Sequence, residues 1–312
     1  MSNPSPLLKT APAEDDVYDI YQLCYARNAE RRIHENFLRR DMHDGPMPLD
    51  FNLWIVANSR RLILVDSGFG ERAARERNRP LDIDPIEALG RIGIDPDLIE
   101  DVILTHLHFD HAGNLDRFAK ARFHIQDAEV AHATGRCMCE QHIRFPFDVE
   151  DIVAFVRHTY AERVSFHDGD AVPFPGISLH VLPGHSQGMQ AVRVMTRRGP
   201  VLLASDVSHY YANLVRRAPF GLTVDAMATL RSYRALMEIA GDVDHIIPGH
   251  DPKVRQIYPD RSFGGVVLTA LHEPPRPVTL ESLERLDAGD EASAAAEVPS
   301  RAATADIVAN RN

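Results

Sequence analysis

Short apolar runs bounded by turn residues recur along the chain from about residue 50 to residue 250. Each run is four to seven residues long, which is typical of buried strands. A polar turn at Asn58–Arg61 separates the first two runs, as in a pair of neighbouring strands. We predict strands at Phe51–Ala57, Leu62–Asp66, Asp101–Thr105, Arg122–Gln126, Ser178–Leu182, Ala191–Thr196, Val201–Ala204 and His245–Pro248.

Other segments place apolar residues at helical intervals. Ile86–Ile92 stops at Gly93, and glycine commonly ends helices. Val149–Glu162 and Val224–Ala240 are longer, and the second has the clearest amphipathic pattern. A short helix is expected at Leu280–Leu286. Because strand pairs alternate irregularly with helices, the pattern predicts a mixed fold rather than a uniform series of βαβ units.

The same pattern divides the chain into three parts. Residues 1–16 are rich in proline, serine and acidic residues, and are predicted to form a flexible lead. Residues 17–273 contain the periodic segments and are predicted to form a single folded domain. Residues 274–312 are rich in proline, alanine and glutamate, and are predicted to form a partly disordered tail.

Composition narrows the class of protein. The chain has 312 residues, 44% of them hydrophobic, as in folded globular proteins. Its net charge of −11 argues against a nucleic-acid partner. It has no apolar run of the roughly 20 residues that cross a bilayer, and no signal-peptide core. Cys24, Cys137 and Cys139 cannot all pair within one chain, so we expect a cytoplasmic protein without membrane or nucleic-acid partners.

Histidine is the unusual component, with 16 residues. The segment Thr105–Gly113 reads Thr-His-Leu-His-Phe-Asp-His-Ala-Gly and directly follows a predicted buried strand. It contains four potential metal ligands, namely His106, His108, Asp110 and His111. Imidazole nitrogens and carboxylates bind zinc and similar metals. Residues two apart in an extended chain point the same way, and a turn after the first pair would direct the second pair towards another metal.

Three further candidates lie where a predicted strand gives way to a loop. His185 and His250 each follow a Pro-Gly pair, and Asp206 ends the run Leu-Ala-Ser-Asp. Metal-binding and catalytic residues gather at such positions on a rigid scaffold. Together with Thr105–Gly113, these residues supply enough ligands for two metals.

These motifs resemble those of the metallo-β-lactamase-fold hydrolases, from about Phe51 to Asp251. The resemblance implies an α+β fold, a four-layer αββα sandwich, in which residues 17–273 form one catalytic domain with a two-metal site at an edge of the paired sheets. It implies one metal held by His106, His108 and His185, a second held by Asp110, His111 and His250, and Asp206 bridging both. Asp66, at the end of the run Leu64–Gly68, is implied to support the ligands from behind.

Within the superfamily the sequence resembles the N-acyl homoserine lactonase group. That group shares the seven ligands and a proline-containing lead into the first strand, which Gly45–Phe51 resembles. It commonly carries a tyrosine three residues after the bridging aspartate. Here His209 has that offset and Tyr210 is one residue later, so either side chain is a candidate to assist the substrate carbonyl. Class B β-lactamases instead usually place a cysteine where Asp206 stands.

The resemblance implies a dinuclear metal-dependent hydrolase that opens a lactone, with N-acyl homoserine lactones as candidate substrates and quorum quenching as the activity. Zinc is expected, and Mn, Fe and Co are alternatives because all accept histidine and aspartate ligands. A hydroxide bridging the two metals would attack the carbonyl, and Asp110 would orient it and shuttle its proton. A homodimer is a typical assembly for the group.

Substrate selection is expected to depend on four loops, at Met42–Phe51, Phe69–Arg79, Cys137–Phe147 and Tyr210–Phe220. Ligand pockets are mostly apolar. The candidates for such a lining, with core packing as the alternative for each, are Met47, Trp54, Met138, Phe145, Phe147 and Phe220.

The sequence leaves other functions open. The same fold could hydrolyse another ester, a thioester or a cyclic amide. A mononuclear iron persulfide dioxygenase would need only the equivalents of His106, His185 and Asp206. A non-catalytic binding protein is a third alternative. The pair at Cys137–Cys139, with His142, is a weak candidate for a separate zinc site because no partner pair accompanies it.

Overall fold

The computed structural model describes residues 16–39 and 44–285, which form two packed β-sheets flanked by helices. The predicted lead, residues 1–16, lies outside the described residues except for Asp16. Residues 286–312 of the predicted tail also lie outside them. Within the described ranges, no helix has the length and apolar character needed to cross a bilayer.

The larger sheet contains eight strands. In spatial order they are β12 (Asp260–Phe263), β13 (Val266–Ala270), β1 (Asp19–Asn28), β2 (Leu49–Ala57), β3 (Leu62–Val65), β4 (Asp101–Ile103), β5 (Arg122–Gln126) and β6 (Val164–His167). Neighbours from β12 to β3 are antiparallel, and those from β3 to β6 are parallel. The sheet is therefore mixed.

The smaller sheet contains five strands. In spatial order they are β11 (Ile246–Pro248), β10 (Gly199–Ser205), β9 (Gln190–Thr196), β8 (Ile177–Val181) and β7 (Ala171–Phe174). Only β10 and β11 are parallel to each other, so this sheet is mixed as well.

Helices connect the strands, and the longer ones begin at aspartate caps. Asp148 accepts a hydrogen bond from the Glu150 amide, and Asp225 accepts one from the Met227 amide. The α-helices of the described ranges are Glu71–Glu76, Pro85–Arg91, Phe109–Ala112, Asp127–Thr134, Gln141–Arg144, Val149–Tyr160, Tyr211–Val215, Ala226–Ala240, Lys253–Ile257 and Leu280–Glu284.

Two hydrophobic cores hold the layers together. Successive strand residues point to opposite faces, so neighbours in β2 enter different cores. Leu53 packs in one core with helix residues such as Leu89 and Phe155. Trp54 packs in the other core with Val192 of β9. The layer order is thus helix, sheet, sheet, helix, which confirms the predicted αββα sandwich.

The eight predicted strands are all present, with ends that differ by at most two residues. Strands β1, β6, β7, β12 and β13 were not predicted. The longest of them, β1, is central in its sheet although it contains the polar residue Gln22. Gln22 is buried and its side-chain oxygen accepts a hydrogen bond from Trp54 Nε1 at 3.1 Å, so tertiary pairing stabilises a polar residue inside the sandwich.

Candidate metal centre

Parallel strands bring the predicted ligands to one edge of the sandwich. Strands β3 and β4 run parallel, and Asp66 and His106 follow close after their carboxyl ends. Strands β10 and β11 also run parallel, and they are followed by Asp206 and His250. Because the ends of parallel neighbours meet at the same edge, side chains far apart in sequence converge there.

Asp206 lies at the middle of the cluster. Its Oδ2 is 3.9 Å from His106 Nε2 and 3.2 Å from His185 Nε2. Its Oδ1 is 3.3 Å from His111 Nε2 and 2.9 Å from His250 Nε2. The two oxygens of one carboxylate thus face two different groups of imidazoles, which is the arrangement of a bridging ligand.

His108 and Asp110, the remaining two candidates, each lie beside one of these groups of imidazoles. His108 Nδ1 is 2.9 Å from His185 Nε2. Asp110 Oδ2 is 3.5 Å from His111 Nε2 and 3.7 Å from His250 Nε2. Two separate sets therefore have ligand atoms within 4.8 Å of one another and could each hold a metal ion, the first being His106, His108, His185 and Asp206, and the second Asp110, His111 and His250. A third group, Asp206, His209 and His250, meets the same distance and shares a residue with each set.

Buried hydrogen bonds orient two of the imidazoles. His111 donates from Nδ1 to Asp66 Oδ2 at 2.7 Å, and His250 donates from Nδ1 to the Asp50 carbonyl at 2.6 Å. In both rings this leaves the Nε2 lone pair facing the cluster. Asp66 is itself held by the Thr105 amide at 2.7 Å and the Thr105 hydroxyl at 2.9 Å. The aspartate thus supports the cluster from behind, where the sequence resemblance put it.

Gly249 allows the loop after β11 to approach the loop after β10. A Cβ atom on Gly249 would lie 2.6 Å from Asp206 Oδ1 and within 2.9 Å of the Ser205 backbone. Real Cβ atoms do not come this close. The Pro-Gly-His sequence at 248–250 therefore contains glycine because any larger residue would displace Asp206 or His250.

Electrostatics favour metal-binding protonation states in the first set. Burial lowers the pKa of His106 and of His108 well below the usual range for histidine, and neighbouring imidazoles lower it further. Burial acts to raise the pKa of Asp206, but the imidazoles of His209 and His250 hold it well below its usual range. Neutral imidazoles and an ionised carboxylate are the forms that coordinate a metal.

In the second set, the pKa values of the histidines are raised rather than lowered. Burial acts to lower the pKa values of His111 and His250, but the carboxylates of Asp110 and Asp206 outweigh burial and raise both. A divalent cation between these residues would replace the proton as the positive partner of the carboxylates. Metal binding at this set is therefore expected to release protons.

Buried atoms without partners show how a metal would fit. In the part of the chain that the structure describes, His106 Nε2 and His111 Nε2 are buried and make no hydrogen bond. Asp206 Oδ1 is also buried and makes no hydrogen bond. Buried polar atoms are normally paired, so three unpaired donor atoms of metal-ligand type facing one another fit a divalent metal centre.

A cavity of about 520 Å³ opens above the cluster. Phe145 and Phe220 line it, in agreement with the expectation for an apolar pocket. Met47 and Trp54 are instead buried in the two cores, so the alternative of core packing holds for both. Phe147 packs against His108, with ring centroids 4.5 Å apart, rather than among the cavity lining.

Three of the four predicted selection loops contain a short helix. Cys137–Phe147 contains Gln141–Arg144, and Tyr210–Phe220 contains Tyr211–Val215. Phe69–Arg79 was expected to be a loop, but it contains the helix Glu71–Glu76. Phe69 is fully buried and packs against Tyr25 and Phe109, which anchors the start of this helix. Residues 42 and 43, part of another predicted loop, lie outside the described residues.

The structure separates the two candidates for assisting the carbonyl. His209 lines the cavity, and its Nε2 is 2.9 Å from Asp206 Oδ2. Burial lowers the pKa of His209 to about 3, so its ring is neutral. Tyr210 turns away from the described cavity lining, and its hydroxyl donates to the Pro48 carbonyl at 3.1 Å. The hydroxyl of Tyr210 thus already has a backbone partner, and its role beside the substrate carbonyl stays a prediction from the sequence.

Several cavity residues were not foreseen from the sequence. Arg31, Arg77 and Arg79 line the cavity beside Phe51 and Phe109. The basic composition of residues 27–32 and 72–79 was the available signal, but it does not reveal which guanidinium groups turn inward. Among the described residues, the groups able to hold a metal include no cysteine, so the Cys137–Cys139 zinc site finds no support.

Comparison with known proteins agrees with this geometry. A model of the metallo-beta-lactamase superfamily matches residues 48–250. N-acyl homoserine lactonase AiiA of Bacillus thuringiensis subsp. kurstaki is 32% identical over 168 residues, which is 53% of this chain and 61% of that protein. An N-acyl homoserine lactonase of a Bacillus species is 29% identical over 226 residues, 65% of this chain and 82% of that protein.

A solved structure has a similar fold. It is an N-acyl homoserine lactone hydrolase with the product N-hexanoyl-L-homoserine at its catalytic metal centre. The two structures have a TM-score of 0.64 and 25% sequence identity, over 77% of this chain and 96% of that one. The chain spans about three fifths of the length of the Bacillus thuringiensis relative that it matches.

Proposed function

The chain belongs to the metallo-β-lactamase superfamily, and on this premise we propose that it is a metal-dependent hydrolase that opens lactones. The observation that carries the proposal is the Asp206 carboxylate, whose two oxygens face two separate ligand sets at the base of a cavity. N-acyl homoserine lactones are the proposed substrate class, because the similar proteins bear the name N-acyl homoserine lactonase.

We propose two divalent ions as cofactors, zinc first, with Mn, Fe and Co as alternatives for the same donors. His106, His108 and His185 would hold one ion, Asp110, His111 and His250 the other, and Asp206 would touch both. When bound, such a pair lowers the pKa of a water molecule and polarises a carbonyl group.

Asp110 is the proposed proton carrier. Its carboxylate lines the cavity and lies 3.5 Å from His111 Nε2. Burial acts to raise the pKa of Asp110, but the imidazole of His111 outweighs it and lowers that pKa, so the group is ionised at neutral pH. It can therefore accept the proton of the attacking water and deliver it to the alkoxide that leaves when the ring opens.

His209 is the proposed partner of the substrate carbonyl. It is neutral and buried in the cavity wall, and its ring stacks on Phe220 with centroids 3.6 Å apart. This stacking fixes the plane of the ring. The neutral ring has one N–H, and its Nε2 faces Asp206 Oδ2 at 2.9 Å. With Asp206 engaged by the metals, that N–H would be free to donate to the carbonyl oxygen and stabilise the negative charge that develops there, as in an oxyanion hole.

One alternative has a specific observation against it. A mononuclear iron persulfide dioxygenase would use only the first ligand set and would not need Asp110, His111 and His250. Those three residues are buried and gathered around the second oxygen of Asp206. A cytoplasmic location and a homodimeric assembly stay predictions from the sequence.

Proton release during ring opening tests the proposal. Metal-loaded protein would be assayed with N-hexanoyl and N-decanoyl homoserine lactones, simple γ- and δ-lactones, and aromatic lactones. We expect turnover by the wild type and at least a 100-fold loss in Asp110→Asn and His106→Ala. Asp242→Asn is the control, because Asp242 is exposed and belongs to neither ligand set. No turnover of any lactone by protein that holds two metals would contradict the proposal.

A further inference from the structure

Three arginines line the cavity beside the proposed metal centre: Arg31, Arg77 and Arg79, here called the cavity arginines. Four carboxylates, those of Glu76, Asp110, Asp148 and Asp206, line the same cavity. Like charges close together repel one another unless an anion lies between them. Which anion faces the cavity arginines therefore depends on the partners of these carboxylates.

The acidic residues of the same wall are already paired. Glu76 and Asp148 line the cavity, but Arg72 Nη1 contacts both, at 3.0 Å and 2.8 Å. Among the residues that the structure describes, no carboxylate lies within ion-pair distance of a cavity arginine. Asp110 and Asp206 are proposed metal ligands, and carboxylates act on Arg31 and Arg77 only at longer range.

Arg31 is held in place by neutral partners. Its Nε donates to the Asn36 side chain, and its Nη2 donates to the Glu35 carbonyl at 3.1 Å. The guanidinium carbon lies 5.0 Å from the centre of the Phe220 ring, which stacks on His209. A continuous stack therefore leads from Arg31 to the imidazole proposed to face the substrate carbonyl.

Arg77 is also fixed by neutral groups. It donates to the carbonyls of Phe145 at 2.9 Å and Phe147 at 2.7 Å. Its guanidinium carbon lies 4.1 Å from the centre of the Phe109 ring. Backbone carbonyls and an aromatic face position the cation without neutralising its charge.

Arg79 is the least constrained of the three. Its Nη1 donates to the Asn78 carbonyl at 3.0 Å, a contact with the adjacent residue. Arg31 and Arg79 line the same cavity, where their like charges repel. An anion bound between them would relieve this repulsion.

We propose that the cavity arginines form an anion subsite that selects lactones whose side chain carries a carboxylate. Planar guanidinium groups bind carboxylates through paired hydrogen bonds. Phe109, Phe145 and Phe220 line the same cavity and provide apolar contact for the carbon chain between the lactone ring and the carboxylate. This inference rests on the proposed lactonase function and adds the chemical class of the substrate.

A matched pair of substrates tests the subsite. N-adipoyl homoserine lactone ends in a carboxylate, and its methyl ester has the same chain without the charge. We expect the wild type to favour the acid at least tenfold in kcat/KM, and added salt to reduce this preference. Arg79→Gln should lower kcat/KM for the acid about tenfold and leave the ester within twofold. Arg31→Gln also loses the contact with Phe220, so it should slow both substrates, and the acid at least tenfold more than the ester. Arg75→Gln is the control, because Arg75 is exposed and pairs with Glu71 on the same helix.

Two results would overturn the subsite. Equal kcat/KM for acid and ester in the wild type would do so, and so would variants that slow both substrates equally. If the wild type opens no lactone at all, the lactonase proposal fails separately. In that case, calorimetry with the γ-lactam analogues of the acid and the ester tests anion binding by the cavity arginines without ring opening. Tighter binding of the acid lactam, weakened by Arg31→Gln, supports the subsite, and equal binding of the two lactams contradicts it.

Discussion

His111 and Asp66 are 45 residues apart in sequence, yet His111 Nδ1 donates a hydrogen bond to Asp66 Oδ2 across 2.7 Å. Both side chains are buried. The other oxygen of Asp66 accepts a hydrogen bond from the Thr105 amide. The aspartate therefore fixes the tautomer of His111 in which Nε2 carries a lone pair towards Asp110 and Asp206.

Replacing Asp66 by asparagine should weaken metal binding without unfolding the protein. The asparagine oxygen must face the Thr105 amide, so its NH₂ group would face His111 Nδ1 and favour the wrong tautomer. We expect Asp66→Asn to lower metal affinity about 10- to 100-fold in competition with a chromogenic chelator. Asp97→Asn, at an exposed position, should bind as the wild type does. Unchanged affinity in Asp66→Asn would count against the supporting role of Asp66.

His209 and Tyr210 should respond differently to substitution. His209→Gln removes the imidazole beside Asp206, and we expect kcat for the lactone to fall about 10- to 100-fold with little change in KM. Tyr210→Phe removes the hydrogen bond to the Pro48 carbonyl, so stability should fall by about 1 kcal/mol while kcat stays within twofold. Steady-state kinetics and urea unfolding separate the two effects. The reverse pattern would show that the tyrosine acts on the substrate.

Gly249→Ala should disrupt the centre through sterics alone. The added methyl would lie 2.6 Å from Asp206 Oδ1, so Asp206 or the His250 loop must move. We expect loss of at least one bound metal per chain, measured by elemental analysis. Gly90→Ala is a suitable control, because a Cβ there meets nothing within 4 Å and lies in a helix. Full metal content in Gly249→Ala would refute the steric argument.

Asp151 should make stability depend on pH. Burial raises the pKa of this carboxyl to about 7, and the neighbouring Asp148 carboxylate adds to the shift. In the unfolded chain its pKa is about 4. Between those values the folded state binds more protons, so stability falls as pH rises from about 4 to about 7 and stays lower above that.

Asp151→Asn removes this effect while keeping an oxygen acceptor for Arg72, which contacts Asp151 at 3.3 Å. We expect the variant to be more stable than the wild type by about 1–3 kcal/mol at pH 8, with a smaller difference at pH 5. Urea unfolding at the two pH values measures both differences. Equal stabilities of the variant and the wild type at pH 8 would mean that the pKa of Asp151 is not raised in the folded protein.

Local sequence pattern was sufficient to locate most strands and the ligand motifs, because buried runs and clustered histidines are visible in a single sequence. It was insufficient for β1, where Gln22 sits inside the sandwich and is stabilised by Trp54, a residue of another strand. The pairing of such polar residues depends on tertiary contacts that one segment does not contain.

The choice between His209 and Tyr210 shows the same limit at the site. Adjacent residues near a strand end can point in opposite directions, and only the packing of Tyr210 against the 47–48 backbone decides which one faces the cavity. The inward turn of Arg31 likewise depends on Asn36 and Phe220, whose positions are set by separate loops.

The number of zinc ions bound per chain shows whether Asp206 joins two metal sites. Protein loaded with zinc and then freed of excess metal would be analysed for bound zinc per chain, beside His106→Ala and His250→Ala. We expect two zinc ions in the wild type and a loss of about one ion in each variant, since each removes a ligand of a different set. One ion in the wild type, kept in His250→Ala, would contradict a centre in which Asp206 joins two metals.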